Sequence, residues 1–262
     1  MKLSVFMPTI RSHLLQKWYD SLEKSCNEHS FEVVMCGPFQ PPTSLLDKPN
    51  VKFIKDYGNP TRAAQIAAIN CQGDFIYHVV DDIVFFPLSV SEQINNLLTD
   101  NTILAMRYME GQNHSGYELP EHYWYAGSSY PWPGVNPNWG NCVHFIMKND
   151  IFTKYGGFDC NYEYLNHAAH DLLFRIQRSE NVEYKLSNRT VCSADWMPDV
   201  TGDHAPIHYA QINHDSVLFQ KSWYNSVPKE MKIDIINWRD QPSVWNRRFV
   251  GTENSYEELG CK

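Results

Sequence analysis

Two adjacent carboxylates, Asp81 and Asp82, follow directly on an apolar run over residues 75–80. A strand buried on both faces gives such a run, so both acids stand at a strand's C-terminal end. Their hard oxygens suit Mg2+ or Mn2+, ions that keep some waters and bridge to substrate phosphates; a solvated acidic turn is the alternative. A third acid, Asp171, follows His170 at the start of an Asp-Leu-Leu-Phe-Arg helix. A carboxylate there can serve as general base for a hydroxyl nucleophile, or do no more than stabilise the helix dipole from the first turn by ~0.3–1 kcal/mol. His204, His208 and His214 add three imidazoles, a common ligand type for divalent metals, at spacings that match no standard zinc motif.

The elements that must position these groups alternate. Residues 3–7 read as a short buried strand, and Ser12 as the cap of a helix with Leu14, Leu15, Trp18 and Leu22 on one face. Residues 31–35 form a second strand, closed by Cys36-Gly37-Pro38 and a proline-rich loop, and residues 51–54 a third. Asn59-Pro60 opens a helix with Asn as N-cap and Pro at the first helical position, and Gly73 ends it. Strands alternating with helices over residues 3–100 imply a mostly parallel sheet, which binds ligands just beyond its strands' C-terminal ends. Residues 111–141, with Trp124, Trp132 and Trp139, read as a long aromatic loop whose composition argues for function over disorder. Residues 143–147 resume as a strand, Gly156-Gly157 makes a turn, and residues 169–178 form a short helix with Leu172, Leu173 and Ile176 inward.

Of the 262 residues 43% are hydrophobic and 20% charged, the composition of a folded chain with a sizeable core. The net charge of −8 offers no global attraction to nucleic acid or an anionic membrane. Residues 217–250 hold six Lys and Arg against three acids, no more than a solvated face carries. No apolar run approaches the ~18–20 residues that span a bilayer, so no membrane span or leader is expected. Seven cysteines without a C-x-x-C pair read as reduced thiols in a cytoplasm, of a bacterial or virus-infected cell.

Ser4-Val5-Phe6-Met7-Pro8-Thr9-Ile10-Arg11 is similar to a first strand with its Pro-Thr turn. Gly73-Asp74-Phe75-Ile76, then Val80-Asp81-Asp82 and Pro87, is similar to a Gly-Glu-Tyr-Ile strand followed by a D-x-D motif and a proline. Tyr155-Gly156-Gly157-Phe158-Asp159, then His170-Asp171-Leu172-Leu173-Phe174-Arg175, matches a Gly-Gly-Phe-Asp turn and a Glu-Asp helix, and Phe219-Gln220-Lys221-Ser222-Trp223 a Phe-x-Lys-x-Trp segment. In this order the segments resemble the GT-A-fold nucleotide-sugar glycosyltransferases, most closely the family 2 group, through residues 3–185.

The resemblance implies an α/β fold of GT-A (Rossmann-like) type: a mostly parallel sheet flanked by helices, with a C-terminal acceptor-side region. It implies one domain over residues 1–262, with a nucleotide-sugar-binding half (1–110) and an acceptor-binding half with the C-terminal tail (111–262). The implied reaction is an inverting, metal-dependent transfer of a sugar from a nucleoside diphosphate to a hydroxyl. Pro8, Thr9, Arg11, Arg62, Asp81 and Asp82 would bind the donor, and Asp82, with Asp81, His208 or His214, would hold Mn2+ or Mg2+. Asp171 would be the catalytic base, and Trp124, Trp132, Trp139, Gly157 and His170 would line the acceptor pocket. Counted back from Pro87, Asp82 falls on the second acid of the D-x-D, and Val80 stands where the first belongs. Met35-Cys36-Gly37-Pro38 replaces the family's Asp-Asp-Gly-Ser, so the acid that recognises uracil is missing and the donor base is not fixed. Arg62 lies just before the family's arginine, and His170 replaces its Glu. A saccharide or a hydroxymethylated DNA base fits as acceptor, and a non-catalytic carbohydrate- or nucleotide-binding module is the competing class.

Overall fold

Leu3, Val5 and Met7 lie on one side of strand β1 (Lys2–Pro8) and Phe6 on the other, and all four are fully buried. That is the strand of a sheet covered on both faces. The computed structural model describes residues 2–110, 123–124, 143–159, 161–179, 181–194 and 209–223. Within them β1 runs parallel to β2 (Ser30–Gly37), and β3 (Val51–Lys55) lies parallel beyond β2. On its other side β1 pairs in parallel with β4 (Phe75–His78). Helix α1 (Leu15–Ser25) packs Leu15, Trp18 and Leu22 on the Leu3–Val5–Met7 face, on which the short α2 (Thr43–Leu46) sets Leu45. Helix α3 (Pro60–Ala68) covers the opposite face with Ala63, Ala64 and Ala67 beside Phe6. Its start is as the sequence predicts: the Asn59 side chain accepts from the Arg62 N–H at 2.9 Å and Pro60 occupies the first turn.

The rest of the sheet is mixed. Strand β5 (Ile83–Phe85), helix α4 (Ser89–Leu97), β6 (Thr102–Glu110), β7 (Tyr123–Trp124) and β8 (Phe145–Lys148) follow in the chain. After them come α5 (Asn149–Lys154), α6 (Leu165–Ser179), β9 (Glu183–Ala194), a π-helical turn Gln211–Asp215 and α7 (Ser216–Trp223). The strand order is β3-β2-β1-β4-β8-β6-β9-β5, with β7 on β6. Strands β8, β5 and β7 pair antiparallel to their neighbours, while β6 and β9 run parallel to each other.

Three local expectations need correction. The helix foreseen over residues 169–178 begins at Leu165, which moves Asp171 from the first turn into the middle of α6. The run over residues 75–80 leaves the sheet after His78, and the Val80 carbonyl accepts from the Trp18 indole N–H at 3.0 Å. Ser12 caps nothing with its side chain: it opens a single 3-10 turn to Leu14, and α1 starts at Leu15. Of the aromatic segment 111–141, Tyr123–Trp124 is described, as a two-residue strand; Trp132 and Trp139 lie outside the described residues.

Strands β2 and β3 extend the sheet to one side of β1, and β4 starts the other side. The strand order reverses between β1 and β4, and the segments leaving their C-terminal ends meet on one face, where the Trp18 indole N–H donates to the Val80 carbonyl and Phe85 N–H to Ser21 Oγ. The loop after β1 is held by the end of β2, where Thr9 N–H donates to the Cys36 carbonyl at 2.8 Å. A Cβ on Gly37 would lie 1.8 Å from the Thr9 carbonyl oxygen, a backbone atom. Gly37→Ala is expected to cost about 1–3 kcal/mol by overpacking, read as a lowered urea midpoint; an unchanged midpoint would mean that the Thr9 backbone yields without cost.

Candidate active site

Four hydrogen bonds converge on one carboxylate where these two segments meet. Asp81 Oδ2 accepts from Thr9 Oγ1 at 3.0 Å, Ile10 N at 2.8 Å and Arg11 N at 2.9 Å, and Asp81 Oδ1 takes Arg11 Nη1 at 2.6 Å. Asp81 is only 4% exposed. Burial would raise its pKa, but the Arg11 guanidinium and the loop's N–H groups outweigh burial and hold the carboxyl below its ordinary value. Arg11 Nη1 also lies 3.6 Å from Asp82 Oδ2, so one guanidinium faces both acids. Thr9, Arg11, Asp81 and Asp82, chosen from sequence as donor-site residues, thus come together, with Pro8 as the last residue of β1. Arg62, at the start of α3, is held by Asp56 through Nε at 2.9 Å and Nη2 at 2.8 Å.

The glycine turn is fixed from two helices. Gly156 and Gly157 have φ of +79° and +69°, a left-handed conformation that favours glycine. From α3, Gln65 Nε2 donates to the Gly156 carbonyl and Gln65 Oε1 accepts from Phe158 N, both at 2.9 Å. From α6, Arg175 Nη1 donates to the Tyr155 carbonyl at 2.5 Å and Nη2 to the Gly157 carbonyl at 2.6 Å. Arg175 Nε binds Asp171 Oδ2 at 2.8 Å, and the Trp223 indole N–H binds Asp171 Oδ1 at 2.9 Å. Asp171 has no exposed surface, and burial pushes its pKa upward against the pull of Arg175. A general base must touch the acceptor hydroxyl, and neither oxygen of Asp171 reaches solvent in this arrangement.

His170 is likewise inside, its ring centroid 6.4 Å from Phe174 and 6.2 Å from Phe219, and burial lowers its pKa to about 3. Its side chain is 6% exposed. His214 Nδ1 lies 2.6 Å from Asp215 Oδ1, while Asp215 Oδ2 accepts from Glu163 N at 2.9 Å and Tyr164 N at 2.5 Å, just ahead of α6. Among the described residues no three His, Cys, Asp or Glu side chains converge as a metal cage. Both oxygens of Asp81 accept hydrogen bonds, and Asp82 beside it is 6% exposed. His208 lies outside the described residues, and Trp124 is the β7 residue paired with Tyr108 of β6. Sequence reasoning missed Asp56, Gln65, Trp18 and the roles of Arg175 and Trp223; the Asp171–Arg175 spacing of one helical turn was the one short-range signal.

No protein-family model and no curated protein matches the chain. Solved structures do. S. aureus TarS 1-349 in complex with UDP-GlcNAc is 18% identical with a TM-score of 0.54, over 88% of this chain and 68% of that chain. TarS 1-349 in complex with UDP is 16% identical with a TM-score of 0.55, over 84% of this chain and 69% of that chain. A structure of S. aureus TarS is 18% identical with a TM-score of 0.53, and the chain spans 40% of its length and 60% of another TarS 1-349 structure. At this identity the likeness shows the fold: the chain has the GT-A architecture.

The Asp81 carboxylate has a folded pKa below its unfolded value, so its stabilisation is present at neutral pH and is lost as pH falls below ~4 toward the lower folded value. Asp81→Asn is expected to cost about 3 kcal/mol at pH 7 because it leaves Arg11 with the more distant Asp82. In urea titrations the gap between wild type and variant should narrow below pH ~4; a constant gap would mean that the charge on Asp81 is not what holds the loop.

Proposed function

We propose that this chain is a glycosyltransferase that moves a sugar from a nucleoside diphosphate donor to a hydroxyl acceptor, with the diphosphate lying over the ends of β1 and β4. The observation that carries this reading is the Arg11 guanidinium fixed between Asp81 and Asp82 at the sheet's switch point, on the GT-A fold. Asp81 and Asp82 outweigh the charge of Arg11, so the positive charge facing a diphosphate would come from a cation at Asp82, while the hydrogen-bonded Thr9–Arg11 loop supplies a fixed wall.

In an in-line displacement the acceptor oxygen bonds to the anomeric carbon as the bond from that carbon to the diphosphate oxygen breaks. The nucleoside diphosphate leaves with the electron pair, the acceptor's proton passes to a base, and the anomeric configuration inverts. Asp82 would hold a divalent cation together with the diphosphate oxygens, and that cation, when bound, neutralises charge on the leaving group. TarS is recorded with UDP and UDP-GlcNAc, which makes uridine donors the first to try. Met35-Cys36-Gly37-Pro38 at the end of β2 carries no acid to read uracil, so GDP- and dTDP-sugars belong in the same screen.

Donor hydrolysis in Mn2+, followed as nucleoside diphosphate release from UDP-, GDP- and dTDP-sugars, should identify one donor class. Asp82→Asn should then weaken binding of that nucleoside diphosphate about tenfold or more by calorimetry, the effect of ~1.4 kcal/mol. Equal affinity in EDTA and in Mn2+ would remove the cation from this reading.

A further inference from the structure

We propose that Asp171, Arg175 and Trp223 form a buried latch that holds the Gly156–Gly157 turn in position for the acceptor, and that Asp171 is a positioning residue, the acceptor proton going to another base. The inference rests on the glycosyl-transfer reading for what the turn does, and on geometry alone for what holds it.

The latch joins three parts of the chain distant in sequence. Arg175 reaches from α6 and divides its guanidinium among three acceptors: Nη1 to the Tyr155 carbonyl, Nη2 to the Gly157 carbonyl and Nε to Asp171. Two backbone carbonyls do not neutralise a guanidinium whose side chain is 2% exposed; Asp171, with no exposure, does. Asp171's second oxygen is closed by the indole N–H of Trp223, whose ring packs against Phe174 at 5.2 Å. Each member therefore needs the next: without Trp223 N–H an Asp171 oxygen is buried without its donor, and without Asp171 the Arg175 charge is buried without its counter-ion.

The turn so held packs against the two strands on the donor side. Phe158 packs against His78, the last residue of β4, with centroids 5.3 Å apart, and against Phe6 of β1 at 6.3 Å. These are the strands whose loops carry Thr9, Arg11, Asp81 and Asp82. Asp171 could act as a base only by leaving Arg175 and Trp223, which would release the turn it holds in place.

Trp223→Phe keeps an aromatic ring and the Asp171 carboxylate and removes the indole N–H donor together with part of the indole's volume. Hydrogen exchange of the full-length variant should be about tenfold faster at Gly157 and Phe158 than in wild type, with a lowered Tm. Hydrolysis of the donor found by the screen should lose kcat several-fold with nucleoside diphosphate affinity unchanged. Asp171→Asn and Arg175→Lys should speed exchange at the same two amides. If Asp171→Asn leaves Tm and exchange at the turn as in wild type while hydrolysis is abolished, Asp171 is the base and the latch is overturned. If Trp223→Phe folds with wild-type kcat, the positioning role is overturned. Should no donor be hydrolysed by wild type, the glycosyl-transfer reading fails, and exchange, which needs no substrate, still decides whether the latch exists.

Discussion

A single buried carboxylate sets the geometry of the donor side. Asp81 sits past the end of β4, and its four hydrogen bonds all come from the Thr9–Arg11 segment that leaves β1. Taking a charge out of water costs several kcal/mol, and only a full set of donors with a counter-ion offsets it. The β1 loop supplies that set, so the loop has one low-energy position, and Arg11 is carried with it to face Asp82. Gly37 makes the same demand sterically, since the Thr9 carbonyl lies where a Cβ would be.

The two halves of the site meet through packing. Gln65 of α3 bonds both sides of the glycine turn, and Phe158 from that turn stacks its edge on His78 beneath the Asp81 segment. Burial lowers the pKa of His78 to about 4, which favours the neutral ring near neutral pH. On the far side Asp215 bonds the two N–H groups just ahead of α6, which fixes the helix that carries Arg175. The chemistry proposed for the donor side thus depends on side chains none of which would touch a substrate.

Much of the donor side was legible in the sequence because local rules govern it. An apolar run ending in two acids gave β4 and its loop, and Asn59-Pro60 gave the start of α3, each within a few residues of where the structure has it. The acceptor side was legible only as motifs. Reading residues 169–178 as a whole helix put Asp171 in a first turn, where an acid has an electrostatic reason to be; four residues earlier, at Leu165, the helix had already begun. From the helix interior the same residue becomes an i, i+4 partner of Arg175. Trp223, 52 residues away, could not be found by spacing at all. The antiparallel strands β5, β7 and β8 were equally hard to place in the sheet, since their pairing is long-range and their runs are short.

On the proposed reaction a nucleoside diphosphate binds over the joined loops after β1 and β4. Amide hydrogen exchange with and without UDP, GDP or dTDP, each in Mn2+, tests it without an acceptor or a turnover assay. With the cognate nucleotide, slowed exchange is predicted at residues 9–11 and 79–82. Slowed exchange confined to other segments, or none at these residues with any of the three nucleotides, would contradict the account.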